Sequence, residues 1–181
     1  MKNIIPIDEN ICLKALVRTD AITMYNLIDK QRAYLGEWLP FVQFTSKIED
    51  TKGFVEMAIL KRIKNQDFVY KICFQDRMIG LIGTKETDHI NKNTELGYWL
   101  SEDFQRMGIM TNAVDTLSKL LFNVLKLERI QICCAIGNDR SIAIPTKLGF
   151  KLEGIKRNGE WLGNLKFRDL LVYSKIRADL N

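Results

Sequence analysis

A chain of 181 residues has the length of one domain and can bury a real core without disulfides or metals. Hydrophobic residues make up 46% and charged residues 27%, which excludes a disordered chain, and no apolar run is long enough to span a membrane. The balance of 27 basic against 22 acidic residues gives +5, a scattered excess that suits an anionic partner but does not point to nucleic acid.

The first fourteen residues carry internal charges and no apolar stretch like that of a secretory signal, so a cytoplasmic location is expected. Residues 11–17 read as the first strand. Thr19 or Asp20 caps a helix running to about Leu35, with Ile22, Tyr25, Leu27 and Ile28 as its apolar stripe. The aromatic stretch 34–44 contains Gly36 and Pro40 and reads as irregular. Ser46 and Glu49 have capping-box spacing for a second helix to about Lys64, with Phe54, Met57, Ala58, Leu60 and Ile63 on one side. Residues 68–74 and 78–87 read as a hairpin, and 95–100 as the next strand.

From Gly108 to about Lys126, Ile109, Ala113, Leu117, Leu120, Leu121 and Val124 recur at three- and four-residue steps, which predicts a helix. Residues 129–136 read as a strand, and 138–149 as a short helix interrupted by Pro145 and ended by Gly149. Residues 150–157 and 167–176 read as a final antiparallel pair around Glu160. Hairpins dominate and one β–α–β passage crosses over at 95–136, so the expected class is a single α+β domain over 1–181 with a mixed sheet.

The four cysteines, Cys12, Cys73, Cys133 and Cys134, form no CxxC pair, and His89 is the only histidine. No metal site is expected, and histidine-based triads are disfavoured. Strand alternation lets at most one of Cys133 and Cys134 face a cleft.

Gln105, Arg106, Met107, Gly108, Ile109, Met110 and Thr111 lie between a strand and the best helix in the chain. A helix N-terminus presents free N–H groups and the positive end of a dipole, so this segment is a candidate phosphate site. An ordinary loop whose glycine starts a helix is the other reading. Neither a P-loop nor a GxGxxG pattern is present.

The run Glu95-Leu96-Gly97-Tyr98-Trp99-Leu100 followed by Gln105 to Thr111 resembles the acetyl-CoA motif of the GNAT superfamily of N-acetyltransferases. The segments Asn138-Asp139-Arg140-Ser141 and Lys147-Leu148-Gly149-Phe150 resemble a second family signature, and the tail from Glu153 to Tyr173 also matches. The details look like the RimJ/RimL branch, which acetylates ribosomal-protein alanine and serine termini.

The resemblance implies a mostly antiparallel sheet whose central strands, 95–100 and 129–136, splay apart. Acetyl-CoA would enter that split, its pantetheine arm against the backbone of Trp99 and Leu100 and its pyrophosphate on the N–H groups of Arg106 to Thr111. Met110 stands where the family's second glycine usually lies. Asn138 would be an N-cap, a ligand of the cofactor arm, or both. Pro145 occupies the usual position of a tyrosine acid. The resemblance therefore turns to Ser141 as hydrogen-bond donor to the departing sulfur, with capping or packing as its other reading. Glu160 would be the base, partly desolvated beside Trp161, or else a solvated turn residue.

Tyr34, Glu37, Trp38, Trp161 and Asn164 are the candidate acceptor-binding residues, with a local core plug as the alternative for the 34–44 segment. The acceptor would be a protein N-terminus, a small amine or an antibiotic. A non-catalytic acyl-CoA-binding sensor is the alternative from another class, and a homodimer is a family-level expectation.

Overall fold

A computed structural model describes residues 1–163 and 166–180. Its strands are β1 (Ile4–Pro6), β2 (Ile11–Ala15), β3 (Val69–Phe74), β4 (Arg77–Asp88), β5 (Asn93–Leu100), β6 (Arg129–Ala135), β7 (Lys151–Gly163) and β8 (Lys166–Ile176). The helices are α1 (Asp20–Asp29), α2 (Arg32–Gly36), α3 (Phe41–Phe44), α4 (Ile48–Ile63), α5 (Ile109–Asn123) and α6 (Asp139–Lys147). The strands form one sheet in the order β1-β2-β3-β4-β5-β6-β8-β7. This is the expected α+β fold with a mixed, mostly antiparallel sheet.

The β5–β6 pair is parallel and short. It holds only at Asn93↔Arg129, Thr94↔Ile130 and Glu95↔Gln131. Beyond Glu95, β5 continues against β4 as far as Leu100, while β6 continues against β8 as far as Ala135. The strands part there, and the backbone edges facing the gap lose their ladder partners.

Two cores cover the two faces of the sheet. Leu96 and Leu100 of β5 and Ile130, Ile132 and Cys134 of β6 pack with Ala113, Leu117 and Leu121 of α5. Trp99 of β5 and Leu81 of β4 pack with Met24, Ile28, Val55 and Ala58 of α1 and α4. Strand alternation therefore sends Tyr98 toward α5, and Glu95, Gly97 and Trp99 toward α1 and α4.

Several local expectations need correction. The first helix breaks after Asp29, because Gln31 leaves helical geometry (φ −128°) and its side chain bonds the Ser101 hydroxyl and the Glu102 N–H. Ile22 is exposed, and Met24 takes its place in the core. The 34–44 segment holds the helical turns α2 and α3. In α4 the inward face is Thr51, Val55 and Ala58, while Phe54, Met57, Leu60 and Ile63 point outward. Asp50, not Glu49, closes the α4 N-terminus, accepting from the Ser46 and Lys47 N–H groups. Strand β1 was not expected. β7 reaches Gly163, which places Glu160 within a strand and not in the turn that follows.

Candidate active site

A cavity of about 520 Å³ occupies the gap between β5 and β6. Trp99, Leu100, Gln105, Met110, Asn138 and Ser141 line it, as do Tyr34, Glu37 and Trp38 and, farther along, Lys85, Glu95, Cys133 and Glu160. The split thus joins two groups of residues that lie far apart in the chain.

Gly108 is the N-cap of α5, with φ +74°, a left-handed geometry that glycine adopts without strain. A Cβ on Gly108 would find no atom within 4 Å, so the space above the helix terminus is open. Arg106, also at positive φ, and Met107 are exposed beside it, while Ile109 and Met110 turn inward and Thr111 is half-buried. Of this segment only Gln105 and Met110 reach the cavity wall; the first N–H groups of α5 have no carbonyl of their own helix to bond. The Gln105 amide donates to the Leu100 carbonyl at 3.2 Å, so one acceptor of the β5 edge is already engaged. Open space, free helical N–H groups and an unpaired strand edge fit a pantetheine chain and its pyrophosphate.

Asn138 caps α6, its side-chain oxygen accepting from the Ser141 N–H at 3.1 Å. The cap fixes the first turn, and the Ser141 hydroxyl then lies 3.4 Å from both the Tyr98 hydroxyl and the Cys134 sulfur. Tyr98 donates to the Ser141 carbonyl at 3.2 Å. Burial pushes the pKa of Tyr98 and of Cys134 upward, so both stay protonated at neutral pH. Pro145 is buried within α6.

On the other face, three residues between Lys156 and Glu160 bulge out of the β7–β8 ladder, and Glu160 resumes pairing opposite Arg168. The Asn158 N–H donates to Asp169 and holds the bulge. Burial raises the Glu160 pKa; Arg168 and Lys85 pull it back, and Glu95 adds to the rise. Trp161 is not what desolvates it. That ring stacks on Phe44 with centroids 5.6 Å apart, and Trp161 is not in the cavity wall. Asn164 lies outside the described residues.

Residues 34–39, from α2 onward, close one side of the cavity. The Arg168 guanidinium stands 4.8 Å over the Trp38 ring and donates to the Glu37 carbonyl at 3.0 Å. The Gln43 amide donates to the Leu162 carbonyl. Burial raises the Tyr34 pKa, against a lowering contact with Arg140.

Sequence reasoning passed over Tyr98, Lys85 and Glu95 as site residues and left open which of Cys133 and Cys134 faces the cleft. Alternation along β5 carried a usable signal for Glu95 and Tyr98. Lys85 needed the β4–β5 register, which places it opposite Glu95. Of the two adjacent cysteines, Cys133 lines the cavity and Cys134 is buried under Ser141. Burial, then Glu95, push the Cys133 pKa to about 11.

Residues 10–151 match the family described as an acetyltransferase (GNAT) domain. The ribosomal-protein-serine acetyltransferase of Escherichia coli (strain K12) is 30% identical over 176 residues, which is 97% of this chain and 98% of that one. The spermidine N(1)-acetyltransferase of the same organism is 27% identical over 154 residues, 82% of this chain and 77% of its own. A solved structure of RimL, a ribosomal L7/L12 alpha-N-protein acetyltransferase in complex with coenzyme A as a disulfide with one of its cysteines, has a TM-score of 0.91. It is 29% identical, covering 96% of this chain and 97% of that one.

Proposed function

This chain belongs to the acetyltransferase (GNAT) domain family, and from that premise we propose that it moves the acetyl group of acetyl-CoA to the N-terminal amine of a protein, a ribosomal protein foremost. The observation that carries the reading is the one cavity that links the α5 and α6 termini to Glu160 through the strand split.

Acetyl-CoA supplies the acetyl group as a thioester and leaves as CoA. The N–H groups from Arg106 to Thr111 hold its pyrophosphate, with the open space over Gly108 admitting it. Trp99, Leu100 and Asn138 border the path of the pantetheine arm, and Met110 and Gln105 line its wall. Glu160 takes the proton of the incoming ammonium, and its raised pKa brings the carboxylate nearer the range in which a general base works at neutral pH. The Ser141 hydroxyl, in the cavity wall, offers a hydrogen bond to negative charge on the CoA sulfur. Cys133 stays a thiol, and Cys134 is sealed under Ser141, which favours direct attack by the amine in a ternary complex over a covalent enzyme intermediate. Tyr34, Glu37 and Trp38 border the acceptor.

A homodimer in the cytoplasm completes the proposal. Its support is β7, thirteen residues long at the edge of the sheet, with Leu152 and Ile155 exposed. Sedimentation of the pure protein tests it.

Mass spectrometry of candidate acceptors after incubation with acetyl-CoA tests the acceptor. The expected product carries one acetyl group on the α-amine of a protein or peptide. Acetylation of small amines alone would move the acceptor to the second reading, which the spermidine-acetylating relative favours. Binding of acetyl-CoA without turnover on any amine would leave a sensor.

A further inference from the structure

We propose that Lys85 sets the acceptor class: its ammonium, held on Glu95 at the acceptor side of the split, turns away polycationic amines and admits singly charged ones such as a peptide N-terminus. The inference deepens the acceptor reading above and rests on the placement of Glu160 beside the acceptor.

The argument starts from strand register. Lys85 of β4 lies directly opposite Glu95 of β5, and Glu95 opposite Gln131 of β6 in the last pair before the strands part. The Lys85 Nζ meets Glu95 Oε1 at 2.6 Å. Glu95 Oε2 accepts from Gln131 Nε2 at 3.1 Å and from the Cys133 thiol at 3.4 Å. Both oxygens of Glu95 are thus engaged from within the protein. The pair is also lopsided: the Glu95 side chain is 16% exposed and that of Lys85 57%. Both line the cavity, with the anion the more buried partner and the cation the more exposed. Gly97 adds no side chain between them, and a Cβ there would stand 4.0 Å from Lys85 Cε.

Burial works against the Lys85 charge, but Glu95 outweighs it and the Lys85 pKa is raised, so the cation persists at every working pH. Around Glu160 the acting charges are Arg168, Lys85 and Glu95. Arg168 is fixed over Trp38 and on the Glu37 carbonyl, and its Nη1 has no partner among the described residues. Glu37 borders the same side, and Cys133 is neutral. Lys85 and Arg168 are thus the two cations acting on Glu160, and Glu37 is a second carboxylate on this side. A single ammonium entering to Glu160 loses its own charge on the way to reaction. A second or third ammonium on the same acceptor keeps its charge and meets Lys85 in the cavity wall, with the Arg168 charge behind it. Like charges brought together across an interface suppress the wrong partner.

The test compares kcat/KM for spermidine and for a short peptide with a free seryl N-terminus, in wild type and in Lys85→Arg, Lys85→Met, Lys85→Glu and Glu95→Gln. Spermidine kcat/KM rises about tenfold or more in Lys85→Met and further in Lys85→Glu, and the gain shrinks with added salt. Lys85→Arg keeps the wild-type discrimination. Glu95→Gln breaks the ion pair but keeps the cation, so it gains nothing with spermidine. A structural role for the pair would make Glu95→Gln behave like Lys85→Met. Stabilisation by acetyl-CoA confirms that each variant is folded, and Lys85→Gln replaces any that is not. No gain with spermidine in folded Lys85→Met and Lys85→Glu overturns the inference, whatever the peptide does. A gain there with a peptide that is never acetylated overturns the protein N-terminus as acceptor and leaves the role of Lys85 standing.

Discussion

The Ser141 hydroxyl and the Cys134 thiol meet at 3.4 Å where the first turn of α6 lies over the end of β6. Ser141 has one proton to donate, and the Tyr98 hydroxyl stands at the same 3.4 Å. Tyr98 spends its own proton on the Ser141 carbonyl. The serine is therefore held from its backbone by Asn138 and Tyr98, and its hydroxyl is free to rotate toward a ligand sulfur in the cavity.

Replacing Ser141 with alanine removes the hydroxyl and leaves both backbone contacts intact. Turnover should fall by about 10–10²-fold, the weak end of what a single donor to developing charge contributes. Affinity for acetyl-CoA should change little, because the bond strengthens only as charge grows on sulfur. Steady-state kinetics beside a direct binding measurement separates the two. Weakened binding with intact turnover would make Ser141 a capping residue only.

The same contact makes a prediction for Cys134. Cys134 is buried directly beneath Ser141, 3.4 Å from its hydroxyl, so a CoA sulfur at Ser141 reaches it when the serine side chain turns away. Oxidised CoA, a disulfide, should then exchange with the Cys134 thiol: one sulfur bonds Cys134 and the other leaves as free CoA. Burial raises the Cys134 pKa, so the thiolate is scarce and the adduct should form faster as pH rises. Intact-protein mass spectrometry of wild type, Cys134→Ser and Cys133→Ser reads it. An adduct lost in Cys133→Ser and kept in Cys134→Ser would place the sulfur on the wrong face of β6.

How much of this was legible depends on whether a residue's neighbours are near in the chain. The α5 stripe and the α6 cap are set by residues three and four apart, and both were found from spacing alone. Glu160 lies in the cavity wall, but not beside Trp161 as the sequence suggests: adjacent strand residues point to opposite faces, so Trp161 could not bury it. The outer face of α4 shows the same limit. Phe54, Met57, Leu60 and Ile63 are apolar, yet the face that meets α1 is made by Thr51, Val55 and Ala58, whose small size permits the approach. Lys85 and Glu95 are ten positions apart and become a pair only through the register of β4 on β5, which hydropathy does not encode.

Gly108 gives a prediction about binding. Valine at φ +74° costs about 1–2 kcal/mol of backbone strain, and its side chain enters space that is now open. Gly108→Val should therefore melt earlier without ligand and lose most of the stabilisation by acetyl-CoA. In wild type that stabilisation is about 2.7 kcal/mol at a hundred times the dissociation constant. Thermal melts with and without acetyl-CoA measure both effects. An unchanged ligand shift in the variant would remove the pyrophosphate from the α5 terminus.

Glu160 yields the last prediction, and its sign follows from the direction of its shift. A general base works as the carboxylate, and burial raises the pKa of this one. The acid limb of kcat/KM should then lie above the ordinary glutamate range, with the rate rising as pH climbs through it. Arg168 and Lys85 hold that pKa down, so removing the Lys85 charge should move the limb to higher pH. Glu160→Gln keeps the shape and removes the proton acceptor. Turnover at neutral pH should fall about 10²–10⁴-fold while acetyl-CoA still binds. The variant's remaining rate should follow the ionisation of the acceptor amine, about 7.7–8.0 for an α-amino group, so the deficit should narrow as pH rises through that range. A pH–rate profile of wild type and variant on one acceptor tests all of this. Neutral-pH turnover in Glu160→Gln equal to wild type, with the acid limb still in place, would assign the proton to water or to another group, and Glu160 would be left as a wall of the acceptor site.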